Sequence, residues 1–185
     1  MFIDIVIPKG NEEQFIQIAK ELGTEKLLFL YNEKPKEIKG HFSGQIVTKN
    51  PGHKAIFFSK GSRGLVENRN VKFHYGFEEL EKKDSLHHRR SGMNQVIAKL
   101  MSEREKTMII DFEKYLQGPK EIYIGRLHQN LKLAKKYGFQ IAIASFATKP
   151  QNLRAANELK HLIKSLGYHD LAKKSVQTLS QALEE

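Results

Sequence analysis

Apolar residues along the chain form short runs that alternate with stretches of helical spacing. A buried strand is predicted at 2–7, followed by a helix in which apolar residues recur every three or four positions up to Gly23. A second apolar run at 27–31 predicts another strand. Because parallel strands need a crossover connection, this order of strand, helix and strand indicates a β-α-β unit within a parallel sheet.

The C-terminal half repeats this alternation more regularly. Ser91 is predicted to cap one helix through its hydroxyl group, and Pro150 is predicted to occupy the first turn of another. The predicted elements are strands at 71–75, 107–112 and 140–146, and helices that begin near Ser91, about 119, Pro150 and about 171.

The middle region, residues 32–69, contains five glycines and two prolines, and only two short strands are predicted there, near 45–48 and 54–59. The whole chain, 1–185, therefore predicts one α/β domain with a parallel sheet. A complete eight-fold barrel usually needs about 250 residues, so a barrel here would be a distorted, trimmed TIM-like barrel. An open doubly wound sheet is the alternative.

Charge adds a partner class to this picture. Lys and Arg number 31 against 21 Asp and Glu, a net charge of +10. Such an excess favours a polyanion, either nucleic acid or an acidic membrane surface, although a generally cationic surface would carry the same charge. The absence of cysteine excludes disulfides and Cys-ligated zinc, and it fits a cytoplasmic location. No apolar run approaches the roughly 18 residues of a membrane span.

A basic segment at 83–96 is the most distinctive part of the sequence. It places two histidines and two arginines, Arg89 and Arg90, directly before a helix. The start of a helix favours anions, and arginine side chains add bidentate phosphate donors. The segment therefore predicts a phosphate or RNA-backbone site. The structural alternative is that an arginine pairs with Asp84 or a nearby glutamate, while Asn94 only bonds the loop.

A second basic segment, 125–138, belongs to the helix predicted from about 119 to 137, which Gly138 is predicted to end. Lys132 and Lys136 lie on the face opposite its apolar stripe, and a basic helix face can follow phosphates, although such faces are more often only solvated. Arg126 and Asn130 are four residues apart and nearer the buried edge. Holding a neighbouring loop in place is the alternative role for these two residues.

Metal chemistry finds little support in the sequence. The eight histidines are scattered and form no His-x-Asp-x-His pattern. Asp4 and Asp111 lie on predicted strands, where a barrel enzyme would place catalytic carboxylates, but each lacks an evident partner for a metal ion. The sequence therefore predicts neither a metal site nor a catalytic residue in this chain.

Three segments together resemble the archaeal ribonuclease P protein component 3 family, whose eukaryotic relatives are also ribonuclease P subunits. Their order and spacing match the family, and the run from His88 to Asn94 is the specific one. The resemblance is weak over 32–69, and the chain is short for the family. The three segments are 75–99, 125–138, and 143–147 followed by Leu153-Arg154 and Leu166-Gly167.

The resemblance implies a distorted TIM-like barrel related to the metal-dependent PHP phosphoesterases. It also implies a protein subunit of ribonuclease P, which cleaves the 5′ leader from precursor tRNA. In that particle the RNA subunit performs the hydrolysis with Mg²⁺, so this chain would hold no cofactor of its own. Where PHP enzymes carry His-x-Asp-x-His, this chain has only Ile3-Asp4-Ile5.

The partners implied are ribonuclease P RNA, protein component 2 and other ribonuclease P proteins, with precursor tRNA contacted indirectly and no membrane. A PHP-type metal-dependent phosphoesterase and a general cationic RNA chaperone are the alternative functions. Arg89, Arg90, Asn94 and Arg126 occupy positions of the family motifs and are candidate RNA contacts. Charge alone adds Lys99, Lys132, Lys136, Lys149 and Arg154.

Overall fold

The computed structural model describes residues 1–51, 55–79, 84 and 89–184. Within these ranges seven strands form one sheet, all parallel, each hydrogen-bonded to the strand that follows it along the chain. The strands are β1 (Ile3–Val6), β2 (Lys26–Tyr31), β3 (Phe42–Ile46), β4 (Phe57–Lys60), β5 (Phe73–Tyr75), β6 (Thr107–Asp111) and β7 (Gln140–Ala144).

Helices follow most of the strands. Two 3₁₀ turns, Phe77–Glu79 and Pro150–Asn152, follow β5 and β7. The α-helices of the described ranges are α1 (Glu12–Glu21), α2 (Arg63–Glu67), α3 (Gln95–Glu103), α4 (Phe112–Gln117), α5 (Lys120–Tyr137), α6 (Ala156–Ser165), α7 (His169–Ser175) and α8 (Thr178–Glu184).

The sheet curls into a nearly closed barrel with apolar side chains on both faces. In β1, Ile3 and Ile5 join the interior cluster, whereas Val6 packs outward with Phe15 of α1. Burial on both faces explains why the strands read as continuous apolar runs in the sequence. The prediction of a trimmed TIM-like barrel is confirmed, and the open-sheet alternative is wrong, because the two edge strands meet.

The two edge strands of the sheet are β1 and β7, and they meet at a seam. An isolated bridge there pairs Val6 of β1 with Ala147, which follows β7. There the Ile7 N–H donates to the Ala147 carbonyl at 3.0 Å. Two residues earlier along both segments, the Ser145 N–H donates to Oδ1 of Asp4 at 2.7 Å. A side chain thus accepts the bond that a strand carbonyl would normally accept. Burial raises the pKa of Asp4 to about 6, although hydrogen bonds from Ser145 and Ile5 act to lower it.

Helix α8 covers the end of the barrel where the strands begin. Leu179 is buried in the interior cluster, and Ala182 and Leu183 pack against it. Two polar contacts fix the helix: the Ser180 hydroxyl donates to the Met1 carbonyl at 2.8 Å, and the Lys72 ammonium donates to the Ala182 carbonyl at 3.2 Å. The helix therefore removes the lower interior side chains from water.

Phe146 occupies the other end of the interior, just after β7. Its φ of 51° is left-handed, a conformation that a bulky residue rarely adopts. The conformation directs the ring inward, where its centroid lies 5.1 Å from that of Tyr75. These two rings fill the mouth of the barrel at the carboxyl ends of the strands.

Several predicted boundaries need correction. Pro150 opens a 3₁₀ turn, and α6 begins only at Ala156. The single predicted C-terminal helix is two helices, α7 and α8, and the short helix α4 was not predicted. Glycine positions were more informative: Gly23 ends α1 as predicted, and Gly23, Gly138 and Gly167 all follow helices with positive φ. The predicted strand at 54–59 begins at Lys54, which lies outside the described residues, and β4 begins at Phe57.

No helix in the described part of the chain is long and apolar enough to cross a membrane.

Candidate functional site

The connections that follow β4 to β7 all begin at the same end of the barrel, because the strands are parallel. In such barrels the loops at the carboxyl ends of the strands form the functional face. The described residues of the basic segment, 84 and 89–96, follow β5 there, and Asp84, Arg89 and Ser91 contact the first half of α5. Its two histidines, His87 and His88, lie outside the described residues.

A buried polar chain holds the loop after β5 onto α5. The Asn130 side-chain amide donates to Oε1 of Glu78 at 2.9 Å, and the Ser91 hydroxyl donates to Oδ1 of Asn130 at 2.6 Å. The Ser91 hydroxyl also accepts the Met93 N–H at 3.1 Å. Burial raises the pKa of Glu78, although the bond from Asn130 acts to lower it. Each end of the loop is thereby attached to the same point of α5.

Arg126 reinforces this attachment from inside the protein. Only 2% of the residue is exposed. Its Nε donates to Oδ1 of Asp84 at 3.0 Å, and its Nη1 donates to the Glu78 carbonyl. A role for Arg126 in binding RNA stays a prediction; its contacts in the structure belong to the loop-holding alternative.

Arg89 and Arg90 lie on the outer side of the same loop and are exposed. The Arg90 N–H donates to Oδ1 of Asp84 at 2.8 Å, and Nη1 of Arg89 lies 3.4 Å from Oδ2. Burial acts to raise the pKa of Asp84, but the Arg90 N–H and the two guanidinium groups outweigh it, so the pKa lies below its usual value. One ionised carboxylate thus fixes a buried and an exposed arginine together.

Asn94 begins the helix that follows. Its Oδ1 accepts the Ile97 N–H at 3.0 Å, and its backbone is extended, as expected of an N-cap. Ser91 was predicted to have this role, and that prediction is wrong because its hydroxyl belongs to the buried chain with Asn130. Asn94 is exposed, so the capping contact leaves part of the residue accessible.

The remaining candidates lie on α3, on α5 and after β7. Lys99 on α3 is exposed and 3.6 Å from Glu103, and Lys132 and Lys136 are exposed on α5. After β7, Lys149 is exposed, whereas the guanidinium of Arg154 donates to the Leu153 carbonyl at 2.7 Å. The structure therefore gathers Arg89, Arg90, Asn94 and Arg126 around one loop, and leaves the five other residues outside it.

A group of paired charges at the mouth of the barrel was missed by the sequence analysis. Glu79 binds two lysines: its Oε2 lies 2.8 Å from Lys60, and its Oε1 lies 3.3 Å from Lys114. Burial raises the pKa of nearby Asp111 to about 7, although the Lys114 N–H acts to lower it. The position of Glu78 and Glu79 directly after a strand was the available signal.

The recess beside these charges is small among the described residues. The recess lined by Glu79, Asp111, Lys114 and Tyr115 has a volume of about 10 Å³, close to the minimum for one water molecule. Among the described residues, no three His, Cys, Asp or Glu side chains are grouped so that they could hold a metal ion.

The barrel is similar to a chain in a cryo-EM structure of an archaeal ribonuclease P with mature tRNA. The two have a TM-score of 0.78 and 22% identity, over 97% of this chain and 88% of that one. A crystal structure of an uncharacterized protein gives a TM-score of 0.43 and 9% identity, over 91% of this chain and 46% of that one. No family model and no curated protein matches the sequence. At these identities the first similarity establishes a shared fold.

Proposed function

We propose that this chain is a protein subunit of ribonuclease P, of the archaeal component 3 type, and that it supports the catalytic RNA. The observation that carries the proposal is an agreement between two independent features. The motif from His88 to Asn94 resembles that family, and the barrel that contains it shares its fold with a chain of an archaeal ribonuclease P over almost its whole length.

Binding to RNA follows from the charge and from the position of the arginines. Arg89 and Arg90 are exposed on a loop that α5 holds in place, and the chain carries a net charge of +10. Lysine and arginine that neutralise phosphates release condensed counterions, which supplies affinity without base contacts. The partners in this proposal are ribonuclease P RNA, protein component 2 and other ribonuclease P proteins, in the cytoplasm, with precursor tRNA contacted indirectly.

The chemistry belongs to the RNA subunit and its Mg²⁺ ions in this proposal. At the mouth of the barrel, Glu79 is paired with Lys60 and Lys114, and the recess beside it is too small for a nucleotide. These contacts favour a structural face over a hydrolytic site. The contribution of the chain is then to neutralise phosphates and hold the active RNA conformation.

Reconstitution tests the proposal directly. Cleavage of precursor tRNA is measured with the catalytic RNA and component 2, with and without this chain, over a range of Mg²⁺ concentrations. We expect a faster reaction and a lower Mg²⁺ requirement when the chain is present. An unchanged rate and an unchanged Mg²⁺ requirement would contradict the proposal.

Two further measurements address the alternative functions. A PHP-type phosphoesterase would contain stoichiometric zinc, manganese or iron and would hydrolyse phosphate esters unaided, so elemental analysis and a phosphatase assay identify it. A general RNA chaperone would bind unrelated RNAs as tightly as ribonuclease P RNA at equal salt concentration. Competition between the two RNAs separates that case from a dedicated subunit.

A further inference from the structure

We propose that Gly125 of α5 forms a seat for the Arg89 guanidinium, which makes Arg89 a pre-positioned group for binding an RNA phosphate. This inference rests on the proposed function, since it concerns how the same loop binds RNA. It assigns a positioning role to Gly125, although glycine has no side chain that could bind RNA.

Gly125 and the Arg89 side chain are in direct contact. A Cβ atom added to Gly125 would lie 2.5 Å from Nε and 2.7 Å from Nη1 of Arg89, and it would also overlap Cζ. These three atoms belong to the guanidinium group, so that group rests directly on the helix backbone. Any residue other than glycine would displace it.

Gly125 lies within α5, an unusual position for a glycine. Glycine disfavours helices, and proteins usually retain it there for a positive φ or for a close approach. Gly125 is not among the residues with positive φ. The close approach of Arg89 is therefore what the glycine permits.

Asp84 does not neutralise all of the positive charge around it. Asp84 is the carboxylate beside Arg89, but its Oδ1 also binds the buried Arg126 at 3.0 Å. One negative charge thus faces two guanidinium groups, and the set of three residues keeps a net charge of +1. About 51% of the Arg89 side chain is exposed, so that surplus charge is accessible.

The chemistry of the seat fits a phosphodiester. A guanidinium group has five N–H donors in one plane, and it binds phosphate oxygens in pairs. The seat already restricts the side chain, so less conformational entropy is lost on binding. Arg90 is exposed at the next position and can reach a neighbouring phosphate. A flexible, extended nucleic-acid backbone supplies such charges in series, whereas a protein partner would have to place a carboxylate there.

The test is Gly125→Ala, with Gly64→Ala as its matched control. Gly64 also lies in a helix, and a Cβ there would meet nothing within 4 Å. Affinity for ribonuclease P RNA is measured by fluorescence anisotropy at low salt, and urea unfolding verifies that each variant is folded. We expect Gly125→Ala and Arg89→Ala each to weaken binding about tenfold, as the loss of a charge-assisted hydrogen bond predicts. Gly64→Ala should bind as the wild type does.

The double variant provides the sharper measurement. If Gly125 acts through Arg89, adding Gly125→Ala to Arg89→Ala should cause no further loss of affinity. Wild-type affinity in Gly125→Ala, or additive losses in the double variant, would overturn the inference. So would an Arg89→Ala variant that binds RNA normally but fails to associate with component 2, because Arg89 would then bind a carboxylate of that protein. If the wild type binds unrelated RNA equally well, the proposed function fails while the Gly125–Arg89 coupling is still measured.

Discussion

Asp84 shows that the two interpretations of the basic segment, structural and RNA-binding, do not exclude each other. The sequence left open whether an arginine pairs with Asp84 or meets a phosphate. In the structure one carboxylate binds the buried Arg126 and touches the exposed Arg89. Arg126 therefore supplies the internal charge pair, and Arg89 keeps accessible donors.

The raised pKa of Asp111 predicts how the stability of the protein changes with pH. Its pKa is raised from 3.8 to about 7 in the folded protein. Between these values the native state binds more protons than the unfolded state, so this residue lowers stability as pH rises from about 4 to 7. We expect Asp111→Asn to become progressively more stable than the wild type over that range, because asparagine can still cap α4 but does not ionise.

Urea unfolding at several pH values between 4 and 8 measures this difference. The control is Glu184→Gln, which makes the same carboxylate-to-amide change at an exposed position of α8. A constant difference in unfolding free energy between Asp111→Asn and the wild type would show that Asp111 titrates normally.

At the scale of elements, periodicity predicted most of the strands and the long helices, but contacts between distant segments decided their ends. Ser91 and Asn94 both suit an N-cap, and only the bond from Ser91 to Asn130, 39 residues away, assigns that role to Asn94. Such a contact leaves no local signal. Likewise Glu78 and Asn130 were found together only because the fold brings the 3₁₀ turn after β5 into contact with α5.

Helix α8 gives a prediction at this scale. Leu179 is 2% exposed and packs into the barrel interior, so Leu179→Ala should lower the free energy of unfolding by about 2–5 kcal/mol. Leu116→Ala is the control, because Leu116 is 41% exposed and its removal should change stability by less than about 0.5 kcal/mol. Equal effects in urea unfolding would mean that α8 does not seal the barrel.

At the scale of the whole molecule, the parallel α/β barrel was predictable because strands and helices alternate, whereas its closure was not. The sequence indicated too few residues for eight complete units. Nothing in it revealed that seven strands suffice, or that the Asp4 side chain completes the seam with Ser145. That contact joins residues 141 positions apart, a separation that no sequence pattern covers.

The distribution of positive charge gives a prediction for the whole surface. Replacing Arg89 and Arg90 together with alanine should reduce the slope of log affinity against log salt by about 1.4–1.8, at 0.7–0.9 per phosphate contact. Lys173→Ala with Lys174→Ala removes the same charge from α7, near the opposite end of β7. The slopes are measured by binding titrations between about 50 and 300 mM salt. We expect the slope of this control to be nearly that of the wild type. Equal slopes for both double variants would mean that RNA senses only net charge.

The seam between β1 and β7 has a consequence for the order in which the protein assembles. Every strand pairs with its successor, so a chain leaving the ribosome can add strands one by one, but the barrel closes only after β7 has emerged. We expect closure to come late in refolding of the complete chain as well, because the seam joins residues 141 positions apart and the loop-closure entropy of such contacts is unfavourable. Val6→Ala at the seam should mainly accelerate unfolding, whereas Ile109→Ala inside the sheet should also slow folding. Stopped-flow measurements compare the two rates, and slower folding in Val6→Ala would place closure early. A nascent chain that ends before β7 would present two unpaired sheet edges.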